Sequence, residues 1–307
     1  NVSVISTNSV PYCVYASSAY VSLYSDNVDA GGNIYFAGMA VSSYSAVSYS
    51  SVTVGSAYAY YSEGTLNSFS NSRALATIAA GRTVYLNGAS SNTFTMFYSS
   101  KTRDGGFDIV AGNYNSISQS TIATYGSGGG FALALQGSSN TITQSYIYAP
   151  ANTGVGLGQA NYNTVSLSTI IINNAGAGDG ALEFGFPGFS YAQYNSISRC
   201  YIQNLAAGYT VRISSDSDFN VIDLSTIVTN NATRGAVQIE IDASSNVISG
   251  SYIQNISGYA VYITSGDYNT VSMSTVVNNT VNRPTVLLDG HATYNNFTDS
   301  WLINQRS

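Results

Sequence analysis

Fifteen carboxylates, nine basic side chains and one histidine are all that a chain of 307 residues offers for acid–base chemistry. Their grouping therefore decides which reactions the sequence could support. Glu183 stands between Leu182 and Phe184, Arg212 between Val211 and Ile213, and Glu240 directly after Ile239. On one surface, a Glu–Arg–Glu set offers the paired carboxylates of a polysaccharide hydrolase, a sugar-binding patch, or a surface ion pair. His291 follows the stretch 287–290 (LLDG) and has no Ser or Cys arranged with it as a nucleophile, so it reads as a loop residue. Asp216 and Asp218 flank a serine but lack the long loop and terminal Glu of a calcium hand. The glycine-rich pieces 126–131, 154–158 and 176–180 lack the P-loop lysine and the dinucleotide context. They suit backbone corners instead. No metal site and no cofactor are expected.

The composition narrows the partners. Charged residues make up 8% of the chain and the net charge is −6. With Lys101 as the only lysine and no basic run, the footprint for nucleic acid is missing. Anionic membrane surfaces are disfavoured for the same reason, and no apolar run reaches the ~20 residues of a spanning helix. Hydrophobic residues reach 44% and tyrosines number 26, which favours an ordered, strand-rich fold. A first residue of Asn rather than Met suggests a processed, exported chain, extracellular or on a cell surface. The acceptor pattern for N-glycosylation occurs at Asn1, Asn231, Asn255, Asn278 and Asn296.

The elements that must position these residues come from a repeat. One phrase recurs at Asn115, Asn140, Asn163, Asn195, Asn220, Asn246, Asn269 and Asn295, with weaker copies from Ser45, Asn67 and Asn92 and a doubtful one from Ala19. Intervals run from 22 to 32 residues, most of them 23 to 26. Two places after each Asn stands an apolar residue (Ile117, Ile142, Val165), five places after it a small polar one (Ser120, Ser145, Ser168), and seven places after it another apolar one. Upstream lies a third alternating strand, as in Val211/Ile213 and Val237/Ile239. Such a unit cannot bury its apolar side chains alone; stacking closes the core. Parallel stacking at ~4.8 Å per coil sets each Asn on the one before, where buried amides can bond to their own copies. Cys200 replaces a Ser of the small column and reads as buried. Cys13 is ~34 Å away on this count, too far for a disulfide.

Phrases of the form N-x-I-x-x-S-x-I followed by a G-x-A-V-x-I strand resemble right-handed parallel β-helix repeats. These are found in carbohydrate-binding and sugar-hydrolase repeat families, pectate-lyase-like enzymes and phage tailspikes. The resemblance implies an all-β, single right-handed parallel β-helix of about 11 to 12 coils, roughly 25 residues each. Residues 1–44 form irregular first coils, 45–307 regular ones, and 176–194 a longer insertion. It does not imply one activity, because the fold hosts many. If the chain is an enzyme, the class implied is a polysaccharide hydrolase or lyase. The clustered Asp with Lys or Arg of a calcium-assisted lyase is not evident, and the Asp-Asp pair with His of a polygalacturonase is absent.

Three further features carry expectations. The aromatic insertion 184–194 offers a surface for sugar rings or for another subunit, or else is a loop that covers its own coil. Tyr114, Tyr162, Tyr194, Phe219, Tyr268 and Tyr294, each just before a repeat Asn, form an outer column that shields the corner. No amphipathic cap follows the last copy, so the ends read as open and stackable. The main expectation is therefore a structural solenoid that self-assembles head to tail into an extracellular filament, a homo-oligomer without catalytic residues. The alternative is a carbohydrate-binding or polysaccharide-cleaving β-helix, including tailspike and adhesin types, with glycan partners meeting Glu183, Arg212 and Glu240. An ice-binding face is disfavoured, because Thr169, Thr226 and Thr275 alternate with Tyr146, Tyr201 and Tyr252.

Overall fold

A computed structural model describes residues 3–5, 10–30, 34–55, 57–77, 81–103, 105–174, 180–186, 191–206, 208–214 and 216–305. Every regular element among them is a β-strand. The strands form three parallel sheets of 13, 12 and 12 members, in which each strand pairs only with those one coil before and after. Sheet 1 runs from Ser3–Ile5 to Trp301–Asn304, sheet 2 from Val10–Ala16 to Val286–Asp289, and sheet 3 from Ser22–Tyr24 to Asn296–Thr298. The chain visits sheets 1, 2 and 3 in turn, once per coil, giving a solenoid of about 11 turns.

Register explains the core. Leu133, Val155, Leu182, Val211, Val237 and Val261 lie directly over one another in sheet 2, all fully buried. Each such side chain contributes roughly 1.5–3 kcal/mol when removed from water, but only once the neighbouring coil covers it. The earliest copy of the phrase aligns at Val21 rather than Ala19, since Ser22 pairs with Ala46 and Ala46 follows Ser45.

The corners show why the phrase must repeat. The residue before each Asn and the one four places after it adopt left-handed backbone, as in Tyr162 (φ 57°) and Leu167 (φ 52°). That reversal points the next N–H away from the strand ladder. Asn supplies the missing partner: Asn163 N–H donates to Asn195 Oδ1 at 2.8 Å, and Asn163 Nδ2 donates to that oxygen at 3.0 Å and to Gly137 O at 2.9 Å. The serine column does likewise, with Ser145 N–H donating to Ser168 Oγ at 3.1 Å. Cys200 is free and buried in that column. Its thiol is pushed up to about 11, chiefly by burial.

A second asparagine column closes the exit from sheet 1, and it uses the glycosylation motifs. Asn231, Asn255 and Asn278 are fully buried. Asn255 Nδ2 donates to Tyr259 O at 2.7 Å, and its Oδ1 accepts the Ser257 N–H at 3.1 Å. The Asn-x-Ser/Thr spacing at these sites is thus an Asx-turn closing a coil corner. A glycan on Nδ2 needs that nitrogen in solvent, and at Asn231, Asn255 and Asn278 it is buried and bonded to backbone carbonyls. Asn296 is exposed, and Asn1 lies outside the described residues.

Candidate functional site

The outer face of sheet 2 gathers the chemistry. Register sets one outward residue per coil in a single column: Tyr15, Ala40, Tyr61, Tyr85, Asp108, Ala134, Gly156, Glu183, Arg212, Gln238 and Tyr262. All three Glu of the chain lie on this face or its edge: Glu183 in the column, Glu63 and Glu240 two residues past Tyr61 and Gln238. Three clefts open along it.

The expected Glu183–Arg212–Glu240 set does converge. Arg212 pairs in register with Glu183, and its Nη2 and Nε lie 2.7 and 2.9 Å from Glu240 Oε2. The other Glu240 oxygen accepts Tyr209 Oη at 2.9 Å and Gln238 Nε2 at 3.1 Å. Tyr209, itself 3% exposed, lies on the side of Arg212, as its bond to Glu240 and the Arg212 and Arg234 guanidinium groups over its ring show. Two buried residues, Thr210 and Val211, separate them, a break in strand alternation. Burial opposes the charge on Arg212, yet the hydrogen bond and charge of Glu240, with Glu183 behind it, hold its pKa above the ordinary value. Burial, then Glu240, pushes the Tyr209 phenol up to about 12. Arg234 lies 4.2 Å over the Tyr209 ring and also bonds its hydroxyl. Beside this cluster opens a cleft of about 470 Å³, lined by Arg234, Gln238, Glu240 and Tyr262 among others.

Glu183 departs from the expectation in one respect. It points to the outer side of the sheet but is only 1% exposed, so its charge meets Arg212 rather than solvent. In the insertion, Phe184 and Phe186 pack back on the solenoid. Phe184 is a fully buried inward residue and Phe186 is 5% exposed, its ring 4.4 Å from that of Phe131. Residues 187–190 lie outside the described set. Phe131 lies across Gly156, where a Cβ would meet Phe131 Cε1 at 2.4 Å. Glycine at 156 thus lets an aromatic wall cross the column.

Beyond that wall lies a second cleft, about 620 Å³, between Tyr58, Tyr85, Phe131 and an ion pair. Arg82 Nε donates to Asp108 Oδ2 at 2.5 Å. Burial raises the Asp108 pKa over the opposition of Arg82 and of the buried Lys101, whose Nζ bonds Gly81 O. The third cleft, about 370 Å³, is walled by Tyr15, Phe36, Tyr61 and Glu63. The Asp–Arg–Lys group was missed in the sequence because its residues come from different coils and sheets, with Lys101 at an inward position of sheet 1 between Ala76 and Thr124. Tyr209 was missed because the break in alternation at Thr210 and Val211 hides which side it takes.

Other expected features fall elsewhere. His291 is exposed in a loop, its N–H on Ser265 Oγ. Asp216 takes a left-handed corner, and Asp218 accepts the Ser244 N–H at 2.7 Å. The corner aromatics are exposed and stacked, as in Tyr162–Tyr194 (5.1 Å, 8°) and Tyr194–Phe219 (5.0 Å, 4°). Stacked ring on ring along the axis, they turn edges rather than faces outward and make a poor platform for a sugar.

Three parallel sheets, a coil period near 25 residues and inward asparagine ladders define a parallel β-helix. The profile described as the right handed beta helix region matches residues 132–302, more than half of the chain, and the chain belongs to that family. No curated protein sequence matches it. Among solved structures, it is similar to the A-module of the Azotobacter vinelandii mannuronan C-5 epimerase AlgE4. The identity is 11%, 93% of this chain and 87% of that chain are covered, and the TM-score is 0.70. The tailspike protein of E. coli bacteriophage HK620, in complex with a hexasaccharide, is 10% identical. It covers 93% of this chain and 58% of its own, with a TM-score of 0.50. At such identities the likeness shows the fold alone.

Proposed function

We propose that this protein is an extracellular or surface carbohydrate-binding β-helix that holds an extended glycan lengthwise on the outer face of sheet 2. The observation that carries the reading is the single outward column from Tyr15 to Tyr262, with all three clefts opening on it. Aromatic rings meet the C–H faces of sugars, while Gln238 and the guanidinium groups, held by Glu240, meet hydroxyls. Its structural neighbours supply context: one acts on mannuronan and another is a tailspike bound to a hexasaccharide. The filament expectation draws on the chain ends, and nothing in the chemistry of this face calls for it.

The cluster is arranged for binding rather than proton transfer. Glu240 already receives four donors, and Tyr209 is held protonated. Affinity electrophoresis through gels containing acidic, neutral and amino polysaccharides tests the reading, with reducing ends assayed in parallel. At least one glycan should retard the wild type, and Arg212→Ala with Tyr85→Ala should abolish that retardation without new reducing ends in either case. Unretarded wild type in every gel, or equal retardation of the variant, would sink it.

A further inference from the structure

The outer face of sheet 1 carries a second pattern, independent of the site on sheet 2. Register sets Tyr146, Thr169, Tyr201, Thr226, Tyr252, Thr275 and Trp301 in one column. Aromatic residues and threonines alternate through its whole length. The aromatic residues are exposed, from 37% at Tyr201 to 73% at Trp301, and the threonines between them are half-buried. Adjacent coils are ~4.8 Å apart, so the rings recur every ~9.6 Å. The neighbouring outward column keeps the same two-coil period: Gln203, Val228 and Gln254 follow one another in register. Tyr201 Oη donates to Gln203 Oε1 at 3.0 Å, so ring and amide act together in one coil.

Charge separates this face from the other. No strand of sheet 1 from Thr121–Thr124 to Trp301–Asn304 contains an Asp, Glu, Lys or Arg. A polyanion finds no counter-charge there, and an uncharged ligand suffers no desolvation of fixed charge. We propose that this face binds an uncharged, extended β-1,4-linked glycan lying along the solenoid axis. In such a chain each pyranose is flipped relative to the next, so an equivalent sugar face recurs every second residue. That disaccharide repeat is close to the spacing of the rings. Tyr146, Tyr201 and Tyr252 stack on alternate sugars, and Gln203 and Gln254 bond their hydroxyls. The half-buried threonines leave clearance for the intervening sugars.

The test uses microcrystalline cellulose and chitin pull-downs, with affinity electrophoresis in hydroxyethylcellulose. Wild type is compared with the double variants Tyr201→Ala/Tyr252→Ala and Tyr201→Phe/Tyr252→Phe, with Thr226→Asp, and with Tyr114→Ala at an exposed corner outside both faces. Wild type, the phenylalanine pair and Tyr114→Ala should bind. The alanine pair should bind at least roughly tenfold more weakly. Thr226→Asp, which keeps both rings but adds a charge between them, should also lose binding. Thermal melts monitored by circular dichroism separate loss of fold from loss of ligand. Wild type that ignores both solids, or an alanine pair that binds as wild type does, would overturn the proposal. So would ring-dependent self-association without glycan binding, which would assign the face to a second copy of the chain.

Discussion

Replacing Asn163 by Ala removes one rung of the inward ladder, and its cost can be worked from the bonds lost. Asn163 Oδ1 accepts the Asn140 N–H at 2.8 Å and Asn140 Nδ2 at 3.0 Å, while Nδ2 donates to Gly137 O and to Asn195 Oδ1. Two of these partners keep another bond. Asn140 Nδ2 still reaches Gly112 O at 3.0 Å, and Asn195 Oδ1 still accepts the Asn163 N–H. The Asn140 N–H and the Gly137 carbonyl lose the bonds that Asn163 gave them. At ~1–3 kcal/mol for each buried polar group left without a partner, the loss is about 2–6 kcal/mol. In a solenoid the damage is felt first by adjacent coils. The assay is hydrogen exchange at the Asn140 amide alongside urea unfolding, with Leu167→Ala as control. Leu167 is half exposed on the same coil, so its truncation should cost under ~0.5 kcal/mol. If Asn163→Ala costs no more than Leu167→Ala, or leaves exchange at Asn140 unchanged, the ladder does not hold the coils together as argued.

Three further outcomes follow from the structure. The Tyr209 phenol is raised from the ordinary 10.0 to about 12, so its neutral form favours the folded state. That contribution is complete below pH 10.0 and is lost as pH rises through about 12. Ultraviolet titration of wild type minus Tyr209→Phe should show one late-ionising tyrosine, and a normal midpoint would refute the burial argument. Cys200, raised to about 11 and buried, should take no maleimide in the folded protein at mildly alkaline pH and should react after denaturation. Peptide mapping by mass decides it, and rapid labelling of the native protein would contradict the assigned packing. In folded protein secreted from a glycosylating host, Asn296 should be the only occupied site among Asn231, Asn255, Asn278 and Asn296. A glycan on any of the three buried asparagines, found by glycopeptide analysis, would refute the Asx-turn assignment.

The repeat was legible because its constraint is local and identical in every coil. Two left-handed corners and one inward amide fix the phrase from Asn115 to Asn295, whatever the loops do. Glu183, Arg212 and Glu240 were legible as a group for the same reason, since each sits at a known offset from an inward Leu, Val or Ile. Burial was not legible. Glu183 is covered although its strand position points outward, and Phe186 packs on Phe131 from a stretch that read equally as a sugar platform or as a covering loop. The group Arg82, Lys101 and Asp108 stayed hidden because its residues belong to different coils and sheets with weak copies of the phrase. Asn231, Asn255 and Asn278 misled, because an Asx-turn and a glycosylation acceptor share one spacing. Sequence periodicity locates a residue along a coil; what lies over it depends on turns whose lengths vary.

The most direct test of glycan binding on sheet 2 is hydroxyl-radical footprinting, with and without the glycan that retards the protein in gels. The account predicts protection at Tyr61, Tyr85 and Tyr262, which share the outward column, with Tyr114 and Tyr162 at the corners unchanged. Protection confined to the corner tyrosines, or none along the column while the glycan stays bound, would contradict it.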